Sequence, residues 1–415
     1  MSFSTKYKVL DLFSGAGGMA EGFLQAGFSI PAATDYSKEA SLTYINRHKQ
    51  LELNFNYYQG DIADLTKKSK LNDLLDGNSV DVVVGGPPCQ GFSLTGKRLS
   101  DDPRNILFIK YLKIIQMSNP RYFVMENVLG ILSFRINKIK GVSGKEYNNE
   151  LVTKILESEA LLLGYKVRWK VLNAKDFGVP QNRPRVIFFG HKIRKRLGKI
   201  YDYVVPAQFP CPIESNVSVY EALSDLSFLK NGEKSNLYLN MLPLSDYQKK
   251  LRIGQTPNKN GIPITSLELH NHEASKHNPN TIRRFSLLSN GEKISDLLKR
   301  LSKSNVLPDE YEKMATKKRS CIKLIREGIS PTILTLPDDI IHYDPKNPRI
   351  LTVRELARLQ SFDDSFIFLG KRTTGGDRRR VETPQYTQVG NAVPPFFSRS
   401  IALKIKEALL ETDKK

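Results

Sequence analysis

Cysteine is scarce in this chain of 415 residues: there are three, Cys89, Cys211 and Cys321. They are too few and too scattered for a disulfide framework or a zinc cluster. No stretch approaches the roughly 18 consecutive apolar residues of a membrane span. Met1 to Lys8 lacks the apolar core of a secretion signal. The expectation is a cytoplasmic protein with no membrane association. A Gly-x-x-x-x-Gly-Lys-Ser/Thr phosphate loop is also missing, which disfavours ATP. His270, His272 and His277 sit close together without a nearby cysteine. They read as a satisfied or solvent-exposed cluster, and no metal is expected. The sequence shows neither an internal repeat nor a long low-complexity tract.

Positive charge, by contrast, is plentiful. Lys and Arg number 63 against 43 Asp and Glu, a formal net charge of +20. Such an excess attracts polyanions through its field and through counterion release. The bland alternative is a basic but unspecialised surface. The length allows one large domain or two ordinary ones.

The first half alternates strand-like and helical patterns. Tyr7 to Phe13 reads as a strand entering a glycine turn, Gly18 to Ala26 as a helix, and Phe28 to Thr34 as the next strand. Val80 to Val84, Tyr122 to Glu126, Val167 to Leu172 and Val186 to Phe189 read as further strands. This rhythm predicts an α/β fold with a mostly parallel sheet and helices on both faces. Ligands in such sheets bind outside the carboxyl ends of the strands, which is where the chemically loaded residues fall. After Gly190 the texture changes. His191 to Lys199 is strongly basic, and an Asn-, Ser-, Pro- and Lys-rich stretch runs to about Ser330. Helical spacing returns at Arg349 to Gln360 and at Phe396 to Leu410.

Asp11-Leu-Phe-Ser-Gly-Ala-Gly-Gly18 follows a strand and opens a helix. Glycines there let the backbone approach a ligand. Its spacing is not the Gly-x-Gly-x-x-Gly of the usual dinucleotide fingerprint, and a tight turn alone would also explain it. Asp35 ends the next strand, where a carboxylate accepts ribose hydroxyls. Asp61 in Gly60-Asp-Ile62 is a candidate for an adenine amino group.

Gly85-Gly-Pro-Pro-Cys-Gln-Gly-Phe-Ser93 directly follows a strand. Two prolines fix the backbone before the thiol. A lone cysteine is usually a small buried hydrophobe, but a rigid loop at a strand's active end favours a presented nucleophile. Glu126-Asn-Val128 ends another strand, either as an ordinary turn or as an acid aimed at the same pocket. In Gln181-Asn-Arg-Pro-Arg185, the residues Arg183 and Arg185 are salt-bridge partners, phosphate contacts, or groups that orient a base and Glu126.

These segments, with Gln388-Val-Gly-Asn-Ala-Val-Pro-Pro395, resemble in order and spacing the cytosine-C5 DNA methyltransferases, above all the compact bacterial members of restriction-modification systems. The resemblance covers roughly residues 7 to 190 and 330 to 410. It implies a Rossmann-like, S-adenosylmethionine-dependent fold plus a smaller target-recognition domain. The expected division is 1–190 catalytic, 191–330 target recognition, and 331–415 returning to complete the catalytic domain. The resemblance assigns Cys89 as nucleophile, with Glu126 and Arg185 gripping the base and Arg183 a further candidate to hold the base and position Glu126. It assigns Phe13, Gly15, Ala16, Gly18, Asp35, Tyr36, Asp61, Ile62, Pro88, Leu107, Asn391 and Val393 to the cofactor. Many members carry Glu where Asp35 stands. The implied partner is double-stranded DNA, with a cognate restriction endonuclease acting separately, and the chain is expected to be a monomer. S-adenosyl-L-homocysteine would be the product. The basic cluster from Lys192 to Lys199 and Arg378-Arg-Arg380 are candidate phosphate contacts, against the alternatives of a solvated face and a mobile loop. Two rival functions are a tRNA cytosine-C5 methyltransferase, whose Cys-Phe-Thr signature is missing here, and an inactive DNA-binding regulator, against which the intact Cys89, Glu126 and Arg185 argue.

Overall fold

The computed structural model describes residues 6–88 and 106–415, apart from 214–215, 227, 240–242, 304–307, 317, 319, 338–339, 377 and 379–380. Its first half runs β1 (Lys8–Leu12), α1 (Gly18–Gln25), β2 (Ser29–Asp35), α2 (Lys38–Gln50), β3 (Asn56–Gln59), α3 (Lys68–Leu75), β4 (Val82–Gly85), α4 (Leu107–Ser118) and β5 (Tyr122–Asn127). A hairpin, β6 (Arg135–Lys140) and β7 (Glu146–Leu151), leads into α5 (Val152–Leu162), β8 (Tyr165–Asn173), β9 (Pro184–Arg196) and β10 (Lys199–Asp202). The second half is mainly helical: α6 (Val219–Leu223), α7 (Asp246–Ile253), α8 (Pro279–Ser286), α9 (Ile294–Ser302) and α10 (Pro308–Met314). It continues through β11 (Ile322–Lys323), β12 (Ile340–Ile341), α11 (Val353–Leu359), α12 (Gln385–Asn391) and α13 (Pro395–Asp413).

The strand order is β3-β2-β1-β4-β5-β9, with β8 and β10 both pairing β9. Strands β1 to β5 are parallel neighbours, while β9 runs antiparallel to β5. Central parallel strands are covered on both faces and so carry unbroken apolar runs. Val82, Val83 and Val84 show why. Val82 and Val84 point into one core with α1 and α13, and Val83 points into the other with α3, α4 and α5. The expected strands and helices are therefore present, with ends shifted by a few residues. The β6–β7 hairpin was not anticipated.

The chain's end returns to its beginning. Helix α13 lies on α1, where a Cβ at Gly22 would come within 2.4 Å of the Arg399 nitrogen. Ser398 donates to the Met19 carbonyl at 2.8 Å. Only glycine admits this approach.

Beyond β10, packing crosses the expected boundary at residue 330. Val219, Leu223, Tyr247 and Leu251 share one core with Leu351, Leu356, Phe362 and Phe368. Capping boxes start α6 (Ser218 with Glu221), α7 (Ser245 with Gln248) and α11 (Thr352 with Glu355). A smaller helical lobe gathers Phe285, Leu288, Leu297, Leu298 and Met314 around Ile341 and Ile350. Likewise β9 continues past Gly190 to Arg196 in one unbroken strand.

Buried charge joins these pieces. Arg358 is held by Asp364 at 2.6 Å and Asp225 at 3.0 Å, and Arg349 by Glu355 at 2.7 Å. Arg47 meets Glu21 at 2.9 Å. His272 is buried, its Nε2 3.0 Å from the Leu226 carbonyl and its Nδ1 3.0 Å from the Thr352 hydroxyl. A carbonyl only accepts, so Nε2 donates and the ring is satisfied while neutral. Burial pushes His272 and His342 down to about 4. A histidine depressed in the folded state takes up its proton first in the unfolded chain. Stability contributed by the neutral rings is therefore complete above the unfolded value near 6.5 and is lost as pH falls towards 4. We expect the thermal midpoint to drop through this window, and His272→Gln to flatten the drop.

Candidate active site

The residues singled out in the sequence gather at the carboxyl ends of β1, β2, β4 and β5. After β1 the chain turns sharply at Phe13 (φ 55°) and Gly15 (φ 54°). The Gly15 N–H donates to Asp35 at 2.8 Å, and the Ser37 N–H donates to its other oxygen at 2.8 Å. Two amide donors thus orient the Asp35 carboxylate at the end of β2, leaving each oxygen a further lone pair. Burial raises the Asp35 carboxyl from its ordinary value. The space over Gly15 is open, with nothing within 4 Å of where a Cβ would stand. Tyr36, next in sequence, is 77% exposed. Asp61 is exposed and accepts from the Ala63 N–H at 2.7 Å, whereas Ile62 is buried. Leu107 is partly buried against the core at the start of α4.

Gly18 has another use than close approach to a ligand. A Cβ there would lie 2.2 Å from the Val393 carbonyl oxygen, so this glycine admits the returning chain. Ala16 is buried in the core shared with Ala392. Val393 is nearly buried beside them, while Asn391 ends α12 with its side chain exposed.

At the neighbouring strand ends, Glu126 on β5 and Arg185 on β9 form an ion pair of 2.8 Å, each side chain 12% exposed. The antiparallel pairing of β5 with β9 brings them together, with Glu126 opposite Ile187. A Cβ at Gly86 would sit 3.2 Å from the Glu126 carboxylate. The Asn127 amide donates to the Pro87 carbonyl at 3.1 Å. The proline turn is thereby tied to the strand that carries the acid. Pro88 is exposed. Cys89 lies outside the described residues.

Arg183 takes a different position from the one the sequence suggested. Its side chain is turned into the interior, 2% exposed, and donates to the carbonyls of Ile333 at 3.1 Å and Gly390 at 2.9 Å. Gln181 is equally buried, donating to Gln360 at 2.8 Å and accepting from the Ile333 N–H at 2.9 Å. Both residues tether the returning C-terminal segment.

Sequence reasoning gave no role to Asp11, although it lies in the quoted motif. Its carboxyl is 1% exposed beneath the glycine turn, 3.3 Å from the Tyr44 hydroxyl. Burial, reinforced by Asp35, pushes it up to about 8, against the opposing Tyr44 hydrogen bond. Tyr57 bridges the hydroxyls of Ser14 at 3.1 Å and Ser41 at 3.0 Å, bracing the same turn. A separate cleft of about 230 Å³, lined by Phe28, Ile30, Leu53 and Pro257, opens at the start of β2, opposite to these residues.

A glycine turn after β1, an oriented carboxylate at the end of β2 and a parallel sheet whose strand order reverses between β1 and β4 make a Rossmann-like nucleotide-binding fold. The family model for the C-5 cytosine-specific DNA methylase matches residues 7–407. The chain belongs to that family, and it is an enzyme of the DNA methyltransferase type. Among its relatives, the Type II methyltransferase M.DdeI of Desulfomicrobium norvegicum is 33% identical over 96% of this chain and 88% of its own length. M1.HphI of Haemophilus parahaemolyticus is 33% identical over 95% of this chain and 85% of its own. A crystal structure from E. coli, described as that of a putative DNA modification methyltransferase encoded within a prophage, superposes with a TM-score of 0.69 at 23% identity, covering 98% of this chain and all of that one. Among the described residues, no helix is long and apolar enough to cross a membrane.

Proposed function

We propose that the protein methylates C5 of a cytosine flipped out of duplex DNA, at a specific sequence, as the modification partner of a separately acting restriction endonuclease. The observation that carries this reading is the Glu126–Arg185 pair held beside the Gly86-Pro87 turn, which only Pro88 separates from Cys89 in sequence. The chain acts as a monomer, in the cytoplasm.

The open space over Gly15, the oriented Asp35 carboxylate and the exposed Tyr36 ring fit S-adenosylmethionine, with Asp61 and Ile62 at the adenine. Phe13, Pro88, Leu107, Asn391 and Val393 complete its surroundings, while Gly18 and Ala16 keep the turn in place. When bound, this cosubstrate supplies an electrophilic methyl to C5 and is released as S-adenosylhomocysteine. The protein's own part is covalent catalysis. The Cys89 thiolate adds at C6 and raises electron density at C5. After transfer, the C5 proton is lost and the thiolate is eliminated. Glu126 holds the exocyclic amine and supports protonation at N3, and Arg185 fixes the Glu126 carboxylate. The base must leave the stack, at a cost of a few kcal/mol, which phosphate contacts offset. Residues 191–330 are where base readout is expected.

Expression in a host lacking 5-methylcytosine, followed by base-resolution mapping of its plasmid, tests the reaction and reveals the site. Unmodified plasmid from soluble, folded protein would overturn the reading. Glu126→Gln keeps the shape of the side chain but cannot share a proton with N3. Its kcat is expected to fall by about 10²- to 10⁴-fold, with duplex affinity little changed.

A further inference from the structure

Strand β9 carries Arg185 at the catalytic end of the sheet and Arg196 at the other. Eleven residues at about 3.3 Å each put them roughly 36 Å apart. The basic cluster from Lys192 to Lys199 is thus not beside the candidate active site. It forms the β9–β10 hairpin, closed by a two-residue turn at Leu197 (φ 50°) and Gly198 (φ 75°). Two positive φ values in a row make the tight turn that matches strand twist.

The ladder sets which side chains share a face. Arg196 is opposite Lys199, and Arg194 is opposite Tyr201. Opposed residues, and every second residue along a strand, lie together. One face therefore carries Lys192, Arg194, Arg196 and Lys199 with Tyr201 and Tyr203. The Arg194 guanidinium stands 3.8 Å from the centre of the Tyr203 ring. The hairpin's carboxylate, Asp202, is on the other face, 2.8 Å from His191. Tyr201 is 52% exposed and Tyr203 is 41% exposed. A solvated charged face needs no aromatic rings. Cations interleaved with exposed rings on a stiff ribbon match a sugar-phosphate backbone, where arginine and lysine take phosphates and tyrosines pack on sugars.

We propose that this face is a second nucleic-acid contact, which takes the backbone of a duplex segment other than the one in the catalytic site. The proposal rests on the reading of DNA as substrate. Holding a remote segment keeps the enzyme on long DNA while its catalytic end samples sites.

The test compares wild-type protein with the variant R194E/R196E/K199E on two duplexes. The first is a poly(dA)·poly(dT) duplex of about 60 bp, which contains no cytosine. Releasing three phosphates should lower the slope of log affinity against log salt by about 2 to 3, with affinity at low salt down tenfold or more. The second is a duplex of about 12 bp centred on the mapped site, which reaches only about 20 Å to either side. On it, kcat/KM should stay within twofold of wild type. An unchanged salt slope on poly(dA)·poly(dT) overturns the proposal and leaves the charges as guards against strand-edge pairing. An equal loss on the short duplex also overturns it, placing the hairpin in the catalytic cleft. The neutral variant R196Q/K199Q, confined to the exposed tip, should shift the slope in the same direction by a smaller step if charge is the cause. Wild-type protein that binds poly(dA)·poly(dT) but never methylates plasmid would sink the functional reading while leaving the hairpin result intact.

Discussion

Replacing Cys89 with alanine is expected to reduce methyl transfer by about 10⁴-fold or more, the scale seen when a covalent enzyme loses its nucleophile. Duplex binding should persist, because phosphate contacts rather than the thiol supply most of the affinity. Labelled cofactor and a gel-shift assay separate the two. DNA carrying 5-fluorocytosine at the target sharpens the result. Fluorine at C5 cannot depart as a proton does, so wild-type protein should remain attached to DNA on a denaturing gel. The alanine variant should not. Transfer surviving in Cys89→Ala, or no adduct with wild-type protein, would show that another group attacks C6. A variant that loses binding and transfer together would point to a damaged loop, and Cys89→Ser then distinguishes shape from chemistry.

The second large effect concerns stability. Arg358 is fully buried and shared by Asp225 and Asp364, each within 3.0 Å. Arg252 also reaches Asp225, at 2.6 Å, and Tyr238 donates to Asp364 at 2.9 Å. Arg358→Met keeps much of the volume but leaves Asp225 with Arg252, and Asp364 with Tyr238 and the more distant Arg354. Removing one partner from such a network costs about 3–5 kcal/mol, readable as a lower denaturant midpoint with an unchanged slope. Adding Asp225→Asn and Asp364→Asn should recover part of the loss. A single variant within 1 kcal/mol of wild type would mean that water reaches the network.

The strand ends that carry the candidate site were legible because their grammar is local. Val82 to Val84 announces a strand, and Gly86 and Pro87 follow at its end, so position and chemistry coincide within a few residues. The same holds for Phe13 to Gly18 after β1 and for Glu126 after β5. Arg183 was not legible in this way. It lies two residues from Arg185, yet it turns inward to carbonyls of Ile333 and Gly390, 150 and 207 residues further along. No periodicity encodes a pairing over that distance. The division at residue 330 missed the shared core for a similar reason. Tyr247 and Leu251 meet Leu356 and Phe362 through burial that joins distant segments, and the charges between them have no local spacing rule. Some signals were present but unused. Ser218 with Glu221 and Ser245 with Gln248 each mark a helix start inside the stretch between Gly190 and Ser330, and Thr352 with Glu355 marks the start of the helix expected over Arg349 to Gln360.

The close approach of Gly18 to the Val393 carbonyl has a bearing on biogenesis. The turn finished by residue 18 acquires its neighbour only after another 375 positions have been translated. At about 5–20 residues per second, the nascent amino-terminal half waits roughly 20–75 s for that partner. Contacts so distant along the chain also form slowly once available. Ribosome-bound intermediates should therefore carry a loosened glycine turn, and truncation before α12 should leave that turn without its partner.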